Sequence, residues 1–443
     1  MMSNSEYWNP ILETMPQEKL RALQLKKFKE IFTWAYERSK FYHNLYRDAG
    51  IEPGDIKTFE DIRKVPKIEK SMLRGAQGKD PFPYGDMLTV PLDQVTEYRQ
   101  TSGTTGQPVY QGDTWQDWEL STETFCYGMW AQGYRPGDRV FVPFGYNIFI
   151  AFWAYHYASE KIGCETIPGG VLDTSARILK MQELKATAMG ATPTYILGMA
   201  ETARKMGINP PKDLFIRKIT VAGEPGGSIP ATRKRMEDAW GAKVYDQVGS
   251  TEIGHWGWEC RHQSGLHVND GLYLVEIEDI ETGKPIDKPG QRGKMVATNL
   301  NRMAQPCIRF DVKDVIQWHP EPCECGRTYR RLEGGVLGRV DDITKVKGVL
   351  FSPGAVEEVV RNMAELSDEY QLVVTKKGDI DDITLKVEIK PDYKKDEAAI
   401  KERLLNQLRI ITNLGYNIEF HDFGSLPRSQ SKSRRFQDMR PHH

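Results

Sequence analysis

The sequence contains few cysteines, no long uninterrupted hydrophobic segment and no excess of charge of either sign. Six cysteines in 443 residues are too few for the disulfide scaffold of a small secreted domain. The most apolar segment, residues 140–158, is interrupted by Pro143 and Gly145, so it predicts a buried strand and loop instead of a membrane span. With 60 basic and 61 acidic residues, the chain has no electrostatic reason to bind nucleic acid or an anionic membrane.

The N-terminal residues also lack the features of a targeting segment. Residues 1–17 are polar and include acidic side chains, where a signal peptide has a basic region followed by an apolar core. We therefore expect a cytoplasmic protein that is not embedded in a membrane.

The length and the hydrophobic pattern predict two domains of unequal size. A chain of 443 residues exceeds a usual single core. Residues 5–75 have an amphipathic helical pattern, which we interpret as a lid or collar outside the chemistry. Between residues 95 and 335, helical stretches alternate with short β-rich runs, which predicts an α/β fold with a largely parallel sheet.

After Gly338-Arg339 the pattern changes to that of a compact α+β unit. It predicts helices at residues 353–363 and 398–411 and strands at residues 371–375, 383–389 and 417–421. We expect a large multi-layer N-terminal domain, residues 1–338 with a helical region at 1–75, and a small mobile C-terminal domain, residues 339–443. The short polar segment that joins them suits a hinge.

Glycine and hydroxyl residues are concentrated in one hexamer, Thr101-Ser102-Gly103-Thr104-Thr105-Gly106. Glycines let successive backbone N–H groups point inward around an anion, and hydroxyls add donors to the same oxygens. No Gly-Lys-Ser/Thr follows, so the loop is not of the Walker type. The hexamer predicts a phosphate loop, and a solvated turn is the open alternative.

Two more glycine-containing loops follow β-rich runs. Residues 217–222 lead into Gly223-Glu224-Pro225, and residues 243–248 lead into Gly249-Ser250-Thr251-Glu252. Ligands of parallel sheets bind at the carboxyl ends of the strands, so these loops predict one composite site. The second loop also has the composition of a helix N-cap, which stays open as an alternative.

Five potential metal ligands are clustered in two short segments. Cys323 and Cys325 lie two residues apart, and Cys260 is followed by His262 and His267. Three thiolates and one imidazole form the closed set of a structural zinc site. We choose His267 over His262 because Gly265 lets the chain turn back. Free cysteines are the alternative, and Cys126, Cys164 and Cys307 are interpreted as packing residues.

In this order the motifs resemble the adenylate-forming (acyl-CoA synthetase) superfamily, and more closely its phenylacetate-CoA ligase-like branch. The resemblance covers essentially the whole chain. Its carriers are Thr101–Gly106, Ala222–Pro225, Val248–Glu252, Arg309–Asp314, Cys323–Arg327, Gly338–Asp342, Leu426–Lys432 and the N-terminal Trp8-Asn9-Pro10. The sequence departs from the family at four places: Val248 replaces a usual tyrosine, Val109 a frequent lysine, Ser431 a usual glycine, and Asp311-Val312-Lys313 more usual neighbours of Asp314.

The resemblance implies a role for each motif residue. Glu252 would hold Mg²⁺, Thr251 would bind the α-phosphate, and Lys432 would be the catalytic cation. Asp314 and Arg339 would bind the ribose, Asp341 would be the hinge of the small domain, and Gly348 would line the channel for coenzyme A (CoA). The nucleotide would contact Thr101, Ser102, Gly103, Thr104, Thr105, Gly106, Gly223, Glu224, Pro225, Gly249 and Ser250. The residues alone leave simpler interpretations open for several of these: a surface pair for Asp314 and Arg339, a turn for Gly348 and a solvated basic tail for Lys432.

The acyl group would lie against Phe144, Tyr146, Ala222 and Gly249. Aromatic and aliphatic walls with few polar groups suit an arene carboxylate, although the same composition suits a plain core. The implied activity is that of an ATP-dependent aryl or arylacetate-CoA ligase in aromatic acid catabolism, acting as a homodimer with ATP, Mg²⁺, CoA and a structural Zn²⁺. The alternatives are an adenylating enzyme that transfers the acyl group to a carrier protein, and a non-catalytic nucleotide-binding relative. The identity of the acid is left open.

Overall fold

The computed structural model describes residues 5–101, 107–340, 344–346, 349–351, 353–377, 380–428 and 435–440. Several predicted site residues lie outside the described residues: Ser102, Gly103, Thr104, Thr105 and Gly106 of the phosphate loop, the hinge Asp341, the channel glycine Gly348, and the catalytic candidate Lys432.

The helices are concentrated in the N-terminal region and on the faces of one large sheet. They are α1 (Pro10–Glu13), α2 (Gln17–Arg38), α3 (Lys40–Asp48), α4 (Phe59–Lys64), α5 (Lys70–Ala76), α6 (Trp115–Ala131), α7 (Ile150–Ile162), α8 (Thr174–Glu183), α9 (Pro193–Lys205), α10 (Pro210–Asp213), α11 (Pro230–Trp240), α12 (Pro353–Asn362) and α13 (Glu397–Thr412). Local sequence explains several ends: Thr114 and Asp117 form a capping box at the start of α6, and Gly163 ends α7 in the left-handed conformation.

The strands form one large sheet and several smaller ones. They are β1 (Glu97–Gln100), β2 (Tyr110–Asp113), β3 (Arg139–Val142), β4 (Glu165–Pro168), β5 (Ala188–Ala191), β6 (Lys218–Val221), β7 (Lys243–Ser250), β8 (Gly254–Glu259), β9 (Leu266–Val268), β10 (Tyr273–Glu278), β11 (Arg292–Asn299), β12 (Phe310–Gln317), β13 (Arg331–Leu332), β14 (Gly338–Arg339), β15 (Thr344–Val346), β16 (Val349–Phe351), β17 (Leu366–Lys377), β18 (Ile380–Ile389), β19 (Asn417–Asp422) and β20 (Phe436–Asp438).

The large sheet has eight strands in the order β13-β9-β8-β7-β6-β5-β3-β4. Its strands from β7 to β4 pair in parallel, whereas β8, β9 and β13 pair antiparallel at one end. The predicted α/β class is therefore confirmed. Because β6 and β7 are parallel neighbours, the two glycine-containing loops leave the same edge of the sheet.

A topological switch point lies between β5 and β3, since the chain leaves β3 toward β4 on one side and reaches β5 on the other. The loop from Pro143 to Phe149 leaves β3 at this point, which is where ligands of open α/β sheets usually bind. The predicted strand and loop at residues 140–158 is correct only in its first half. Residues from Ile150 onward form α7, because Ala154, Ala158 and Ile162 recur at helical spacing and are buried.

The N-terminal helices belong to the main core and are not a collar around it. The aromatic side chains of Phe28, Phe32, Tyr42 and Tyr46 are fully buried in one cluster with residues of β8 to β12. The amphipathic pattern correctly indicated a buried face, but it could not show which surface that face contacts.

A second antiparallel sheet, β10-β11-β12-β14, lies beside the large one, and β1 and β2 form a separate hairpin. The C-terminal unit has its own sheet, β19-β18-β17-β20, covered by α12 and α13 around a separate hydrophobic core. Its helices and the strands β17, β18 and β19 match the predicted elements, whereas β15, β16 and β20 were not predicted. Among the described helices, none combines the length and the apolar composition needed to cross a bilayer.

Candidate active site

The predicted phosphate loop connects the two strands of the β1–β2 hairpin. At its base, the Thr101 N–H donates to the Val109 carbonyl at 3.0 Å, and the Val109 N–H donates to Thr101 Oγ1 at 2.9 Å. Both residues are buried, so Val109 faces the core where a lysine is frequent in the family. Gln100 also donates its N–H to the Ile148 carbonyl at 3.2 Å, which ties the hairpin to the loop after β3.

Thr251 and Glu252 lie in the tight turn between β7 and β8. This turn joins two antiparallel strands, so the helix N-cap interpretation of the segment is wrong. A Cβ on Gly249 would lie 2.7 Å from the Gly254 carbonyl oxygen, so the turn requires glycine there. Glu252 is buried, and its Oε1 lies 2.7 Å from the ammonium nitrogen of Lys70.

Lys70 reaches Glu252 from the first residue of α5. Ile68, two positions before Lys70, is anchored at the start of β12, because its N–H donates to the Arg309 carbonyl and its carbonyl accepts the Asp311 N–H. A lysine at the start of a helix carries no motif, and the sequence offered no signal that it contacts a residue 182 positions away, counted from 70 to 252.

A buried arginine, Arg302, joins the β1–β2 hairpin, called the phosphate hairpin below, to the turn between β7 and β8 that contains Glu252, called the Glu252 turn. Its Nη1 donates to the carbonyls of Thr251 and Glu252 at 3.1 and 3.0 Å. Its Nε lies 3.1 Å from the fully buried carboxylate of Asp113, the last residue of β2. A charge pair that also satisfies two carbonyls fixes both segments relative to each other. Sequence reasoning missed Arg302 because its partners are distant in the chain.

The loop after β6 is fixed from two sides. Glu224 Oε1 accepts the Thr194 N–H at 2.7 Å, so this carboxylate caps the first turn of α9. Ser228 donates to Asp246 Oδ2 at 2.5 Å, which joins the loop to β7. Burial raises the pKa of Asp246 to about 6. Gly223 and Pro225 stay exposed beside these anchors, and Gly249 and Ser250 follow at the end of β7.

The two predicted ribose-binding residues lie opposite each other in adjacent strands. Asp314 of β12 pairs with Arg339 of β14 in the strand register, and Arg339 Nη1 donates to Asp314 Oδ1 at 3.1 Å. Both side chains retain solvent exposure, so a carboxylate acceptor and a forked donor are accessible at one point. Asp311 is different, because Lys294 and Lys313 both bind its carboxylate, at 2.8 and 3.0 Å.

Aromatic side chains line the loop after β3. Phe144 stacks on Phe152 of α7 with ring centroids 3.9 Å apart and meets Tyr195 of α9 edge-on. The Tyr146 hydroxyl lies 2.7 Å from His156 Nδ1. Phe144 and Tyr146 are only partly buried, which favours a wall over a plain core. His156 adds a polar group that the sequence did not predict.

Gly170 approaches the loop after β3 closely at Gly145 and completes this wall. A Cβ on Gly170 would lie 3.1 Å from both the Phe144 carbonyl oxygen and the Tyr146 ring. Arg177 holds this segment by donating to the carbonyls of Gly169 and Gly170 at 3.0 and 2.8 Å. Ala222, at the end of β6, is half-buried and donates its N–H to the Ala191 carbonyl.

The four predicted zinc ligands converge at one buried point. The side-chain ligand atoms of Cys260, His267, Cys323 and Cys325 all lie within 4.8 Å of one another. His262 lies apart, where it is exposed and pairs with Glu324. Gly265 has φ +110°, and a Cβ there would lie 2.4 Å from the Leu332 carbonyl oxygen, so the turn between β8 and β9 requires glycine.

The geometry and the chemistry of these side chains fit a tetrahedral ion. Zinc–sulfur bonds of about 2.3 Å in a tetrahedron separate neighbouring ligands by roughly 3.8 Å. The Cys260 and Cys323 sulfurs are 3.7 Å apart, and Cys325 Sγ lies 3.5 Å from His267 Nε2. Hydrogen bonds from Cys260 lower the pKa of the Cys323 and Cys325 thiols, and the same contacts raise the pKa of Cys260, so two of the three sulfurs favour the thiolate that binds metal. Burial acts to lower the pKa of His267, but the neighbouring thiols raise it overall.

The cysteine segment also anchors the start of the described chain. Buried Glu13 pairs with Arg327, and the Glu13 carbonyl accepts the Thr328 N–H at 2.9 Å. Tyr7 donates its hydroxyl to the Cys325 carbonyl at 3.2 Å. This cluster therefore lies where the N-terminal helices meet β8 to β13.

Comparisons with known proteins show which family and which folds the chain resembles. The family described as the AMP-binding enzyme C-terminal domain matches residues 348–440. A phenylacetate-coenzyme A ligase of Thermus thermophilus is 32% identical, with 98% of this chain and 99% of that protein covered. One of Escherichia coli is 28% identical, with 99% of each covered.

Among solved structures, 2-hydroxyisobutyryl-CoA ligase in the postadenylation state, in complex with 2-HIB-AMP, has a TM-score of 0.93 at 28% identity. This match covers 98% of this chain and 93% of that one. The same ligase in the thioesterification state, with 2-HIB-AMP and CoA, has a TM-score of 0.75 at 28% identity, covering 99% and 93%.

Proposed function

Because the chain belongs to the phenylacetate-CoA ligase family, we propose that it is an AMP-forming ligase that joins an aryl or arylacetic acid to CoA with consumption of ATP. In the first step, a carboxylate oxygen of the acid attacks the α-phosphorus of ATP and pyrophosphate leaves. In the second, the CoA sulfur attacks the acyl carbonyl carbon, its proton is lost, and AMP leaves. The product is an acyl-CoA thioester.

One observation carries this proposal: Arg302 fixes the Glu252 turn to the phosphate hairpin. The Glu252 carboxylate, the Lys70 ammonium and the β1–β2 hairpin, which flanks the phosphate-loop sequence, are thus connected by direct contacts at the edge of the sheet. Such an arrangement suits a triphosphate with its divalent ion, because hard cations on ATP are usually held by one or two carboxylates. When bound, Mg²⁺ at Glu252 would neutralise charge on the phosphate oxygens.

The remaining nucleotide contacts follow from the neighbouring loops. Asp314 and Arg339 would hold the ribose hydroxyls, and the exposed backbone of Gly223 to Pro225 would border the adenine. Thr251 would donate to the α-phosphate. The residues from Ser102 to Gly106 would surround the phosphates, and Lys432 would stabilise the charge that develops around the α-phosphate.

The proposed acid is aromatic because of the wall formed by Phe144, Tyr146 and Tyr195. Ring stacking and edge contacts stabilise a bound arene. The hydroxyl of Tyr146, oriented by His156, offers a polar group to a ring substituent. Ala222 and Gly249 would border the carboxylate end, where small side chains leave room for the adenylate.

For the second step, we propose that residues 339–443 form a mobile domain that rotates about Asp341. Gly348 would then line the channel for CoA, where a side chain would obstruct the thiol arm. The small unit already has its own hydrophobic core, which such a movement requires.

The deciding experiment measures pyrophosphate release and acyl-CoA formation with a panel of benzoates, phenylacetates and heteroaromatic acids. We expect both products with at least one aromatic acid. Pyrophosphate release in a single burst, without turnover when CoA is added, would favour transfer to a carrier protein. The absence of pyrophosphate with every acid would favour a non-catalytic nucleotide-binding protein.

We also propose that Cys260, His267, Cys323 and Cys325 hold a structural Zn²⁺, on the strength of the buried convergence of their ligand atoms. Closed sites of this composition stabilise folds and leave no position for substrate. We also propose that the protein is a cytoplasmic homodimer. Light scattering would measure its oligomeric state.

A further inference from the structure

The large unit, which contains the large sheet and the N-terminal helices, contacts the C-terminal unit, called the small unit here. One arginine of the large unit binds almost the whole C-terminal end of a helix in the small unit. Arg235 of α11 donates from Nε to the Arg361 carbonyl at 2.6 Å and from Nη2 to the Met363 carbonyl at 2.8 Å. Its Nη1 donates to the carboxylate of Asp368 at 2.6 Å. Longer contacts reach the carbonyls of Val360 and Ser367.

This contact is favourable for two physical reasons. The last carbonyls of a helix lack partners within the helix, and α12 ends at Asn362. A guanidinium placed there satisfies those carbonyls and interacts favourably with the negative end of the helix dipole. The second reason is the charge on Asp368, which Arg361 of the small unit and Arg235 of the large unit share.

Asp368 is therefore a bridge between the two units. Burial would raise the pKa of Asp368, but the charges of Arg361 and Arg235 lower it overall. Nearby, the Thr232 hydroxyl on the same face of α11 donates to Glu357 of α12 at 3.1 Å, and both residues are buried. The contact between α11 and α12 thus combines charge, helix capping and a buried hydrogen bond.

The arrangement that contains this contact corresponds to one state of a related ligase. The whole chain superposes better on 2-hydroxyisobutyryl-CoA ligase in the postadenylation state than on the same protein in the thioesterification state, at equal identity. The two states of that ligase therefore differ in the arrangement of the chain. The structure described here has the arrangement of the postadenylation state.

We propose that Arg235 is a positioning residue that selects the postadenylation arrangement of the small domain by capping α12 and pairing with Asp368. This inference rests on the proposed two-step function. Loss of Arg235 favours the arrangement used for thioester formation, so the two half-reactions respond in different proportion. Arg235 touches neither substrate nor reacting atoms in this role.

The adjacent residue offers a matched control. Lys234 is exposed on the same helix and pairs with Asp238, without a contact to the small unit among the described residues. Arg235→Met and Lys234→Met each remove one positive charge from α11. Thr232→Val, which keeps the shape and removes the hydrogen bond to Glu357, is the second variant in case Arg235→Met fails to fold.

The first measurement needs no chemistry. Spin labels at Ser175→Cys on α8 and Ile410→Cys on α13, both exposed, report the distance between the two units. We expect a second distance population in Arg235→Met that is absent or minor in the unaltered chain and in Lys234→Met, and a smaller change of the same kind in Thr232→Val. Identical distance distributions in all variants would overturn the proposal.

The second measurement compares half-reactions in single turnover: pyrophosphate release from acid and ATP, and thioester formation from preformed acyl-adenylate and CoA. We expect Arg235→Met to lower the ratio of the first rate to the second about tenfold, within the range of ordinary coupling between sites. Lys234→Met should leave the ratio unchanged. An unchanged ratio in Arg235→Met would overturn the proposal, whereas a chain inactive with every acid would contradict the proposed function and leave the label distances to decide on Arg235.

Discussion

The ammonium nitrogen of Lys70 lies 2.7 Å from Oε1 of Glu252, so the N-terminal helical region contributes directly to the predicted metal site. Glu252 is buried, while Lys70 remains partly exposed and approaches from the side of α5. The ion pair fixes the position of the carboxylate, and the backbone of the same turn is held by Arg302.

Glu252→Gln should strongly impair adenylation and leave the fold intact. Glutamine has the same shape and still accepts a hydrogen bond from Lys70, but it lacks the charge that holds Mg²⁺. We expect pyrophosphate release to fall by roughly 10²–10³, the scale of losing one preorganised electrostatic group. Glu69→Gln, which changes an exposed carboxylate next to Lys70, is the control. Near-normal release by folded Glu252→Gln would mean that the metal is held elsewhere.

Lys432→Ala should separate the two half-reactions. If Lys432 acts only while charge builds around the α-phosphate, adenylation falls by roughly 10²–10³ and thioester formation from preformed adenylate is nearly unchanged. Asp341→Pro should do the reverse, because a fixed φ restricts rotation at the hinge. Single-turnover kinetics of each step distinguish these effects. Equal losses in both steps for Lys432→Ala would show that the lysine is structural.

Removal of the zinc ligands should lower stability without changing the chemistry. We expect one zinc per chain after a chelator wash, and His267→Ala should lose the metal and melt several degrees lower, because metal binding is linked to folding. Elemental analysis and thermal melting make the test. His262→Ala, a histidine on the same segment outside the cluster, should retain the metal. Chelated protein with unchanged melting and no bound metal would contradict the site.

The buried carboxyl of Asp246 should make stability depend on pH. Its pKa is raised to about 6, so between about pH 4 and 6 the folded chain holds a proton that the unfolded chain has lost. Its contribution to the free energy of unfolding is therefore present below pH 4 and is lost as pH rises through 6.

Asp246→Asn removes this ionisation while keeping an acceptor for Ser228. Relative to the unaltered chain, the variant should gain about 2 kcal/mol between pH 4.5 and 7.5, since one pKa unit corresponds to about 1.4 kcal/mol. Urea unfolding of the large unit at both pH values provides the measurement. Parallel stability profiles for the two proteins would refute the assignment.

Much of the framework was predictable because it depends on local patterns. Alternating helical and β-rich runs indicated the α/β sheet, and the glycine-containing loops after residues 222 and 248 do leave adjacent strands, β6 and β7. The elements of the C-terminal unit also matched closely, since each is a continuous apolar pattern between turn residues.

The supporting residues of the site could not be predicted in the same way. The contact of Lys70 with Glu252 spans 182 positions, and the contact of Arg302 with Asp113 spans 189. Neither Lys70 nor Arg302 lies in a motif. His156 lies within an apolar helix, where nothing in its spacing identifies Tyr146 as its partner. Tertiary contacts of this kind depend on the register of distant elements, which periodicity does not encode.

The placement of the first helices in the main core has a consequence for biosynthesis. Phe28, Phe32, Tyr42 and Tyr46 pack against β8 to β12, and Glu13 pairs with Arg327, 314 residues further along. During translation, these aromatic side chains emerge long before their partners in β8 to β12 exist. Because domains normally fold as units while synthesis proceeds, the N-terminal segment must wait, with its apolar face uncovered, until most of the large unit has left the ribosome. The start of this chain can therefore complete its core contacts only after β8 to β12 and Arg327 have been synthesised.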